Sequence, residues 1–222
     1  MSERLSALLA AEGLAVVGHF RPGPGDGAAG AATLALVGAR GDALWPHFSQ
    51  SPEAQDGAPE PLDRWSRRVL EGIAAELGAE AFFPFGGPPY MPFISWAAKA
   101  EGARVSPVAM QVSPHRGLWM SYRGALGLRE AWAPAPELDA PCDGCPRPCV
   151  TACPVDAFAT GGYDIPKCLD HMESAAGAAC RDGCLVRLAC PVGAPPPTPQ
   201  RAFHMAAFHR AQRRAQAEFG NG

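Results

Sequence analysis

The sequence has little charge and no long apolar run. Only 18% of its 222 residues are Asp, Glu, Lys or Arg, and the formal net charge is -3. This balance gives no reason to expect nucleic acid or an acidic membrane surface as a partner. No stretch reaches the roughly 20 apolar residues of a membrane span, and the first residues lack the pattern of a signal peptide. We therefore expect a cytoplasmic protein that does not contact a membrane.

The sequence also lacks two common fingerprints of catalytic sites. It contains neither a P-loop nor a G-x-S-x-G turn, and no nucleophile stands beside an evident base. Kinase and serine hydrolase activities are therefore not predicted.

Cysteine is absent outside Cys142–Cys190, and all eight cysteines of the chain lie within that stretch. A cysteine followed at once by proline occurs twice there, at Cys153 and at Cys190. In a reducing compartment, clustered cysteines are more often metal ligands than disulfides. The pattern favours iron–sulfur clusters, which are typically held by four thiolates each.

The spacing suggests how the cysteines would be shared between two clusters. In two-cluster ferredoxins, the fourth cysteine of the first run binds the other cluster. The same crossing here predicts one cluster at Cys142, Cys145, Cys149 and Cys190. It predicts a second at Cys153, Cys168, Cys180 and Cys184. The spacers are longer than the usual C-x2-C-x2-C-x3-C-P pattern, so one cluster with spare thiols stays an alternative, as do two zinc sites.

The residues before the cysteines predict an α+β domain with a largely antiparallel or mixed sheet. Hydrophobic periodicity and glycine stops predict helices at 2–11, 42–50, 62–77 and 93–101, and strands at 14–20, 33–38, 104–112 and 118–126. A proline-rich connection at 133–136 marks the boundary between this domain and the cysteine region. The predicted division is a cofactor or substrate domain at 1–137, a cluster domain at 138–198 and a C-terminal helix at 199–222.

The cysteine region resembles a known electron-transfer module. With PCDGCPRPCVTACPVDAF, KCLDH and CRDGCLVRLACPVG, it looks like the ferredoxin-like double-cluster module of epoxyqueuosine reductases and corrinoid-dependent reductive dehalogenases. The segments PFGGPPYMPFISWAAKAEGA and VAMQVSPHRGLWMSYRGAL are similar to the cobalamin-processing protein of the methylmalonic aciduria type C kind. That resemblance implies a nitroreductase-like first domain that binds cobalamin.

Several residues of the first domain are candidates for contact with such a cofactor. Two glycines allow close approach of a planar group, aromatic rings can wall a pocket, and polar side chains can bind its substituents. The candidate cofactor-binding residues are Gly86, Gly87, Tyr90, Ser113, His115, Trp119 and Arg123. Ordinary turn, core and ion-pair roles remain open for them, and no residue is assigned as catalytic.

These observations lead to one functional hypothesis and two alternatives. The chain would be an iron–sulfur oxidoreductase that passes low-potential electrons through two [4Fe–4S] clusters to a corrinoid or flavin in the first domain. A redox partner protein would exchange electrons with it. The alternatives are a non-catalytic ferredoxin-like carrier that docks a partner enzyme, and a zinc-stabilised interaction protein.

Overall fold

The structure is a computed structural model that describes residues 3–136, 138–159 and 162–219. These residues form two compact units. The first comprises the chain up to Ala103 together with Met120–Ala140, and the second comprises Arg104–Trp119 and the chain from Pro141 onward.

The strands are β1 (Leu14–Phe20), β2 (Thr33–Ala39), β3 (Glu80–Phe82), β4 (Arg104–Val105), β5 (Gln111–Val112) and β6 (Tyr122–Leu128). The helices are α1 (Glu3–Ala11), α2 (Leu44–Ser49), α3 (Pro52–Gln55), α4 (Pro61–Leu77), α5 (Phe93–Glu101), α6 (Ile165–Glu173), α7 (Ala178–Asp182), α8 (Leu185–Leu188) and α9 (Thr198–Phe219). None of the helices within the described ranges combines the length and the apolar character needed to cross a membrane.

The first unit is built on a four-stranded antiparallel sheet. Its strand order is β1-β2-β6-β3. Helix α5 packs against β1 and β2, while α4 packs against β3 and β6. The predicted α+β architecture with an antiparallel sheet is therefore confirmed.

Helix α4 shows why periodicity located these elements. Trp65, Val69 and Ile73 recur at steps of four residues and are buried, so one apolar stripe faces the unit's core. Gly78 ends the helix with a φ of 61°, a left-handed conformation that glycine adopts without a steric penalty. The predicted helix at 62–77 is confirmed, as is the helix at 93–101.

The connection between β1 and β2 contains the run Gly25–Gly30, whose letters fit G-x-G-x-x-G. The next element is strand β2 rather than a helix, so the run lacks the strand-to-helix setting of a dinucleotide site. Its Asp26 is buried and accepts hydrogen bonds from the Gly23 N–H at 2.8 Å and from Lys99 Nζ at 2.5 Å. This pairing gives the run a structural role.

The structure differs from the prediction of single strands at 104–112 and 118–126. The first is a hairpin of two short strands, β4 and β5, because Ser106 and Met110 close a turn between them at 2.8 Å. The second begins only at Tyr122, because the Trp119 N–H bonds the carbonyl of Arg116 in a turn at 3.0 Å.

The division into units also differs from the predicted domains. Residues 104–119 belong to the second unit, where Val108, Val112 and Leu118 are buried with Cys149 and Val186. Helix α9 belongs to that unit as well. The predicted boundary residue, Glu137, lies outside the described residues.

The sequence predicts that α9 docks through a stripe formed by Phe203, Ala207, Ala211, Ala215 and Phe219. In the structure, α9 packs against the rest of the second unit through a different face. Met205 is buried and Phe208 packs on the cluster formed by Met172 and Cys180. Ala211 of the predicted stripe is exposed, and the side chain of Phe219 lies outside the described residues. The helix therefore covers one end of the cysteine region.

Candidate metal centre

The loop that carries the first cysteines turns sharply between them. Gly144 has a φ of 70° and Arg147 a φ of 54°, so the backbone reverses within each short spacer. The turn at Pro148–Thr151 places Cys149 inside, where it is 7% exposed. All eight cysteines are free thiols.

One set of thiols gathers around Cys149. Burial raises the pKa of the Cys149 thiol, and the thiolate charges of Cys190, Cys142 and Cys145 raise it further. Burial likewise raises the pKa of Cys142, with Cys145 and Cys190 as its thiolate neighbours. The structure thus brings Cys190 to the three cysteines of the first run, although it lies more than 40 residues further along the chain. We call these four residues the first thiol set.

A second set gathers around Cys180. Burial raises the pKa of Cys180, and the thiolates that add to this shift belong to Cys184, Cys168 and Cys153. Burial also raises the pKa of Cys168, where a hydrogen bond from Tyr163 opposes the shift and the charges of Cys184 and Cys153 add to it. We call Cys153, Cys168, Cys180 and Cys184 the second thiol set.

The chemistry of each set fits a soft metal group. Buried thiolates that repel one another need a cationic partner to stay deprotonated, and bound metal supplies that charge. Four sulfur donors suit an iron–sulfur cluster or zinc. In residues 3–136, 138–159 and 162–219, no three His, Cys, Asp or Glu side chains form a group that could hold a metal ion. The four thiolates of a [4Fe–4S] cube bind four separate irons, so they stand farther apart than the ligands of one ion.

The segment 113–119 packs directly against the first thiol set. Ser113 and Gly117 exchange two backbone hydrogen bonds of 2.9 Å, which hold a tight turn. A Cβ placed on Gly117 would lie 2.2 Å from the Val192 carbonyl oxygen and 2.8 Å from Cys190 Sγ. Only a residue without a side chain fits this approach. Sequence reasoning missed Gly117, because Val192 and Cys190 lie more than 70 residues further along the chain.

Two polar side chains lie beside the second thiol set. The Tyr163 hydroxyl donates to Cys168 Sγ at 3.1 Å. The pKa of Tyr163 is raised mainly by burial and further by this hydrogen bond, so the hydroxyl keeps its proton. Arg187 is half-buried. Loss of solvent lowers the pKa of Arg187, and the nearby thiolate charge of Cys184 opposes this shift. Sequence reasoning missed both residues, because nothing in the spacing of Tyr163 or Arg187 indicates a partner.

The candidate cofactor residues divide between the two units. In the first unit, Gly86 has a φ of 89°, and a Cβ there would lie 2.8 Å from Arg67 Nη2. Gly87 similarly faces the ring of Tyr90, which is itself 69% exposed. Arg123 pairs with Asp63 at 3.3 Å, so an internal acid is its partner.

Ser113, His115 and Trp119 belong to the second unit. The Ser113 side chain is buried, and its oxygen accepts hydrogen bonds from the His115 and Arg116 N–H groups at 3.2 and 3.3 Å. The Trp119 ring lies under the Arg187 guanidinium at 5.6 Å. His115 is exposed. Ser113 and Trp119 thus contact residues of their own unit, and a role of either residue in binding a cofactor stays a prediction.

No protein-family model matches the chain, and no curated protein matches it. Among solved structures, the chain is similar to epoxyqueuosine reductase from Streptococcus thermophilus, with 17% identity and a TM-score of 0.41 over 73% of this chain and 49% of that one. The chain thus spans about half the length of that protein. A likeness of this size assigns neither fold nor function.

Proposed function

We propose that the chain is an iron–sulfur oxidoreductase. Each thiol set would bind one [4Fe–4S] cluster in a ferredoxin-like unit, and the first unit would be a nitroreductase-like domain that holds the electron acceptor. The observation that supports this proposal is the gathering of eight free thiols into two sets of four. When bound, the clusters would supply one-electron transfer at a potential set by the protein.

The residues of the second unit have defined roles in this proposal. The thiolates would hold the iron, and the burial of Cys149 and Cys180 would keep water away from it. Backbone N–H groups also donate to the sulfur atoms, from Arg147 to Cys145 Sγ at 3.4 Å and from Ala157 to Cys153 Sγ at 3.3 Å. Such hydrogen bonds disperse the negative charge of ligated sulfur.

Paired substitutions test the crossed assignment of ligands. In the crossed arrangement, Cys142→Ser with Cys190→Ser damages only one cluster, so about four of about eight iron atoms per chain remain. Cys142→Ser with Cys153→Ser damages both clusters, so little iron remains. An uncrossed arrangement, with Cys153 in the first set, predicts the reverse for these two matched variants. Iron and acid-labile sulfide are measured per chain after anaerobic purification.

The metal content of the unsubstituted protein tests the proposal as a whole. About eight iron and eight sulfide per chain support two clusters, whereas about four of each support one cluster with spare thiols. Zinc in place of iron and sulfide would refute the oxidoreductase proposal and would favour a zinc-stabilised interaction protein.

The acceptor proposed for the first unit is a corrinoid or a flavin. The test adds cobalamin, and separately a flavin, to the cluster-loaded protein reduced with dithionite, and records binding and the absorption spectrum. A spectral change that requires the loaded clusters supports electron transfer to the added cofactor. If neither cofactor binds and a redox partner protein is captured instead, the chain acts as a ferredoxin-like carrier.

A further inference from the structure

We propose that Tyr163 and Arg187 raise the reduction potential of the cluster at the second thiol set above that of the cluster at the first. This inference rests on the proposed function, because it concerns residues of this chain that lie beside the thiols. It also assigns a direction to electron transfer within the protein, because an electron is more stable on the cluster with the higher potential, which is the second.

The position of Tyr163 is fixed by aromatic stacking. Its ring stacks on Phe158, with ring centroids 4.4 Å apart, and on Phe208 of α9 at 6.0 Å. This arrangement aims the hydroxyl at Cys168 Sγ, 3.1 Å away. A hydrogen bond to a ligating sulfur stabilises the more negative, reduced cluster, so it raises the potential.

Arg187 adds a half-buried positive charge near Cys184. Its Nη1 donates to the Leu118 carbonyl oxygen at 2.9 Å, and its guanidinium lies 5.6 Å from the Trp119 ring centroid. It follows Cys184 by three residues, with Cys184 just before helix α8 and Arg187 within it. Arginine stays protonated when buried, so its charge also favours the cluster state that carries one more electron.

The surroundings of the first thiol set are different. The side-chain charges beside Cys142 are those of Arg147 and Asp143, which act on it in opposite directions. Arg147 is exposed, and solvent weakens the effect of an exposed charge. The hydrogen bond to Cys145 Sγ in this set comes from a backbone N–H. The two sets therefore differ in side-chain donors and in how exposed the neighbouring arginine is.

A redox titration followed by electron paramagnetic resonance tests the proposal. Tyr163→Phe removes one hydroxyl and keeps the stacked ring. A hydrogen bond of ordinary strength corresponds to a roughly two- to tenfold change in an equilibrium constant, and tenfold is about 59 mV for one electron. We therefore expect the reduction potential of the second cluster to fall by up to about 59 mV. Ser174→Ala removes a hydroxyl of the second unit that donates to the His171 carbonyl rather than to a sulfur, and it should leave both potentials unchanged.

Arg187 is tested by its charge. Arg187→Gln should lower the potential of the second cluster, and Arg187→Lys should restore most of the loss. Each substitution is also made together with Cys142→Ser and Cys190→Ser, so that the signal comes from the second cluster alone. Because Tyr163→Phe keeps the ring packing, it tests the proposal even if Arg187→Gln does not fold.

The outcomes separate this inference from the proposed function. A chain without iron and sulfide overturns both. A chain that binds two clusters whose potentials are unchanged by Tyr163→Phe and Arg187→Gln overturns this inference alone. A rise in potential, or an equal fall for both clusters, also overturns it.

Discussion

Replacing Gly117 with alanine tests how closely the segment 113–119 packs on the first thiol set. The added methyl carbon would lie 2.2 Å from the carbonyl oxygen of Val192 and 2.8 Å from Cys190 Sγ. The first of these atoms is part of the backbone, so it cannot rotate away. Either the turn or the Cys190 loop must move, and we expect Cys190 to be displaced from its set.

The cost of this substitution has two parts. Gly117 has a φ of 54°, and an L-residue in that left-handed region costs about 1–2 kcal/mol. Forcing a methyl group into a filled space costs about 1–3 kcal/mol more. The total of about 2–5 kcal/mol is a large share of the roughly 5–15 kcal/mol by which a native protein is stable.

Gly144→Ala is the matched control. Gly144 has a φ of 70°, but no atom lies within 4 Å of a Cβ built there, so it should incur only the first part of the cost. Urea unfolding under anaerobic conditions gives the free energy of each variant, and iron per chain reports the clusters. We expect Gly117→Ala to lose more stability than Gly144→Ala and to lose iron as well. Equal losses in the two variants would refute the close packing against Val192 and Cys190.

Two further predictions concern the first unit. Arg68 donates two hydrogen bonds to the Glu53 carboxylate, at 2.5 and 3.1 Å. This pairing lowers the pKa of Glu53 in the folded protein. The pair therefore stabilises the fold above the pKa that Glu53 has in the unfolded chain, and this stabilisation is lost as the pH falls through the pKa of Glu53 in the folded protein. Glu53→Gln should thus lower the free energy of unfolding at pH 7 and much less at pH 3, and an equal effect at both would contradict this. Arg123→Met should lower the free energy of unfolding by about 1.5–3 kcal/mol, because it leaves Asp63 unpaired. Adding Asp63→Leu should recover part of this loss, as measured by thermal unfolding. If the effects of the two substitutions simply add, the two residues are not paired.

The elements of the first unit that could be predicted from sequence are those whose pattern is local. Helix α4 follows from an apolar residue every three or four positions and a terminal glycine. Strand β2 follows from an unbroken apolar run, and its residues from Thr33 to Gly38 are buried. Each of these patterns lies within a single element, and the tertiary contacts of that element favour the same conformation as its local sequence.

The segment 104–119 could not be assigned from its own residues. Strands β4 and β5 have two residues each, too few to show alternation. The partners of this segment, such as Val186 and the Val192 carbonyl, come from parts of the chain about 70 residues away. Tyr163 and Arg187 escaped notice for the same reason, since only the folded chain shows that they lie beside Cys168 and Cys184.

The placement of 113–119 changes what its residues can be expected to do. Gly117 packs on Cys190 of the first thiol set, while Arg187, the neighbour of Cys184 in the second set, binds the Leu118 carbonyl. One short turn therefore contacts the surroundings of both sets. Substitutions in this turn should alter cluster content and reduction potential before they alter binding of any acceptor, because the nearest groups are the thiols and their neighbours. We therefore expect the turn to support both thiol sets structurally, and contact of Ser113, His115 or Trp119 with a cofactor stays a prediction.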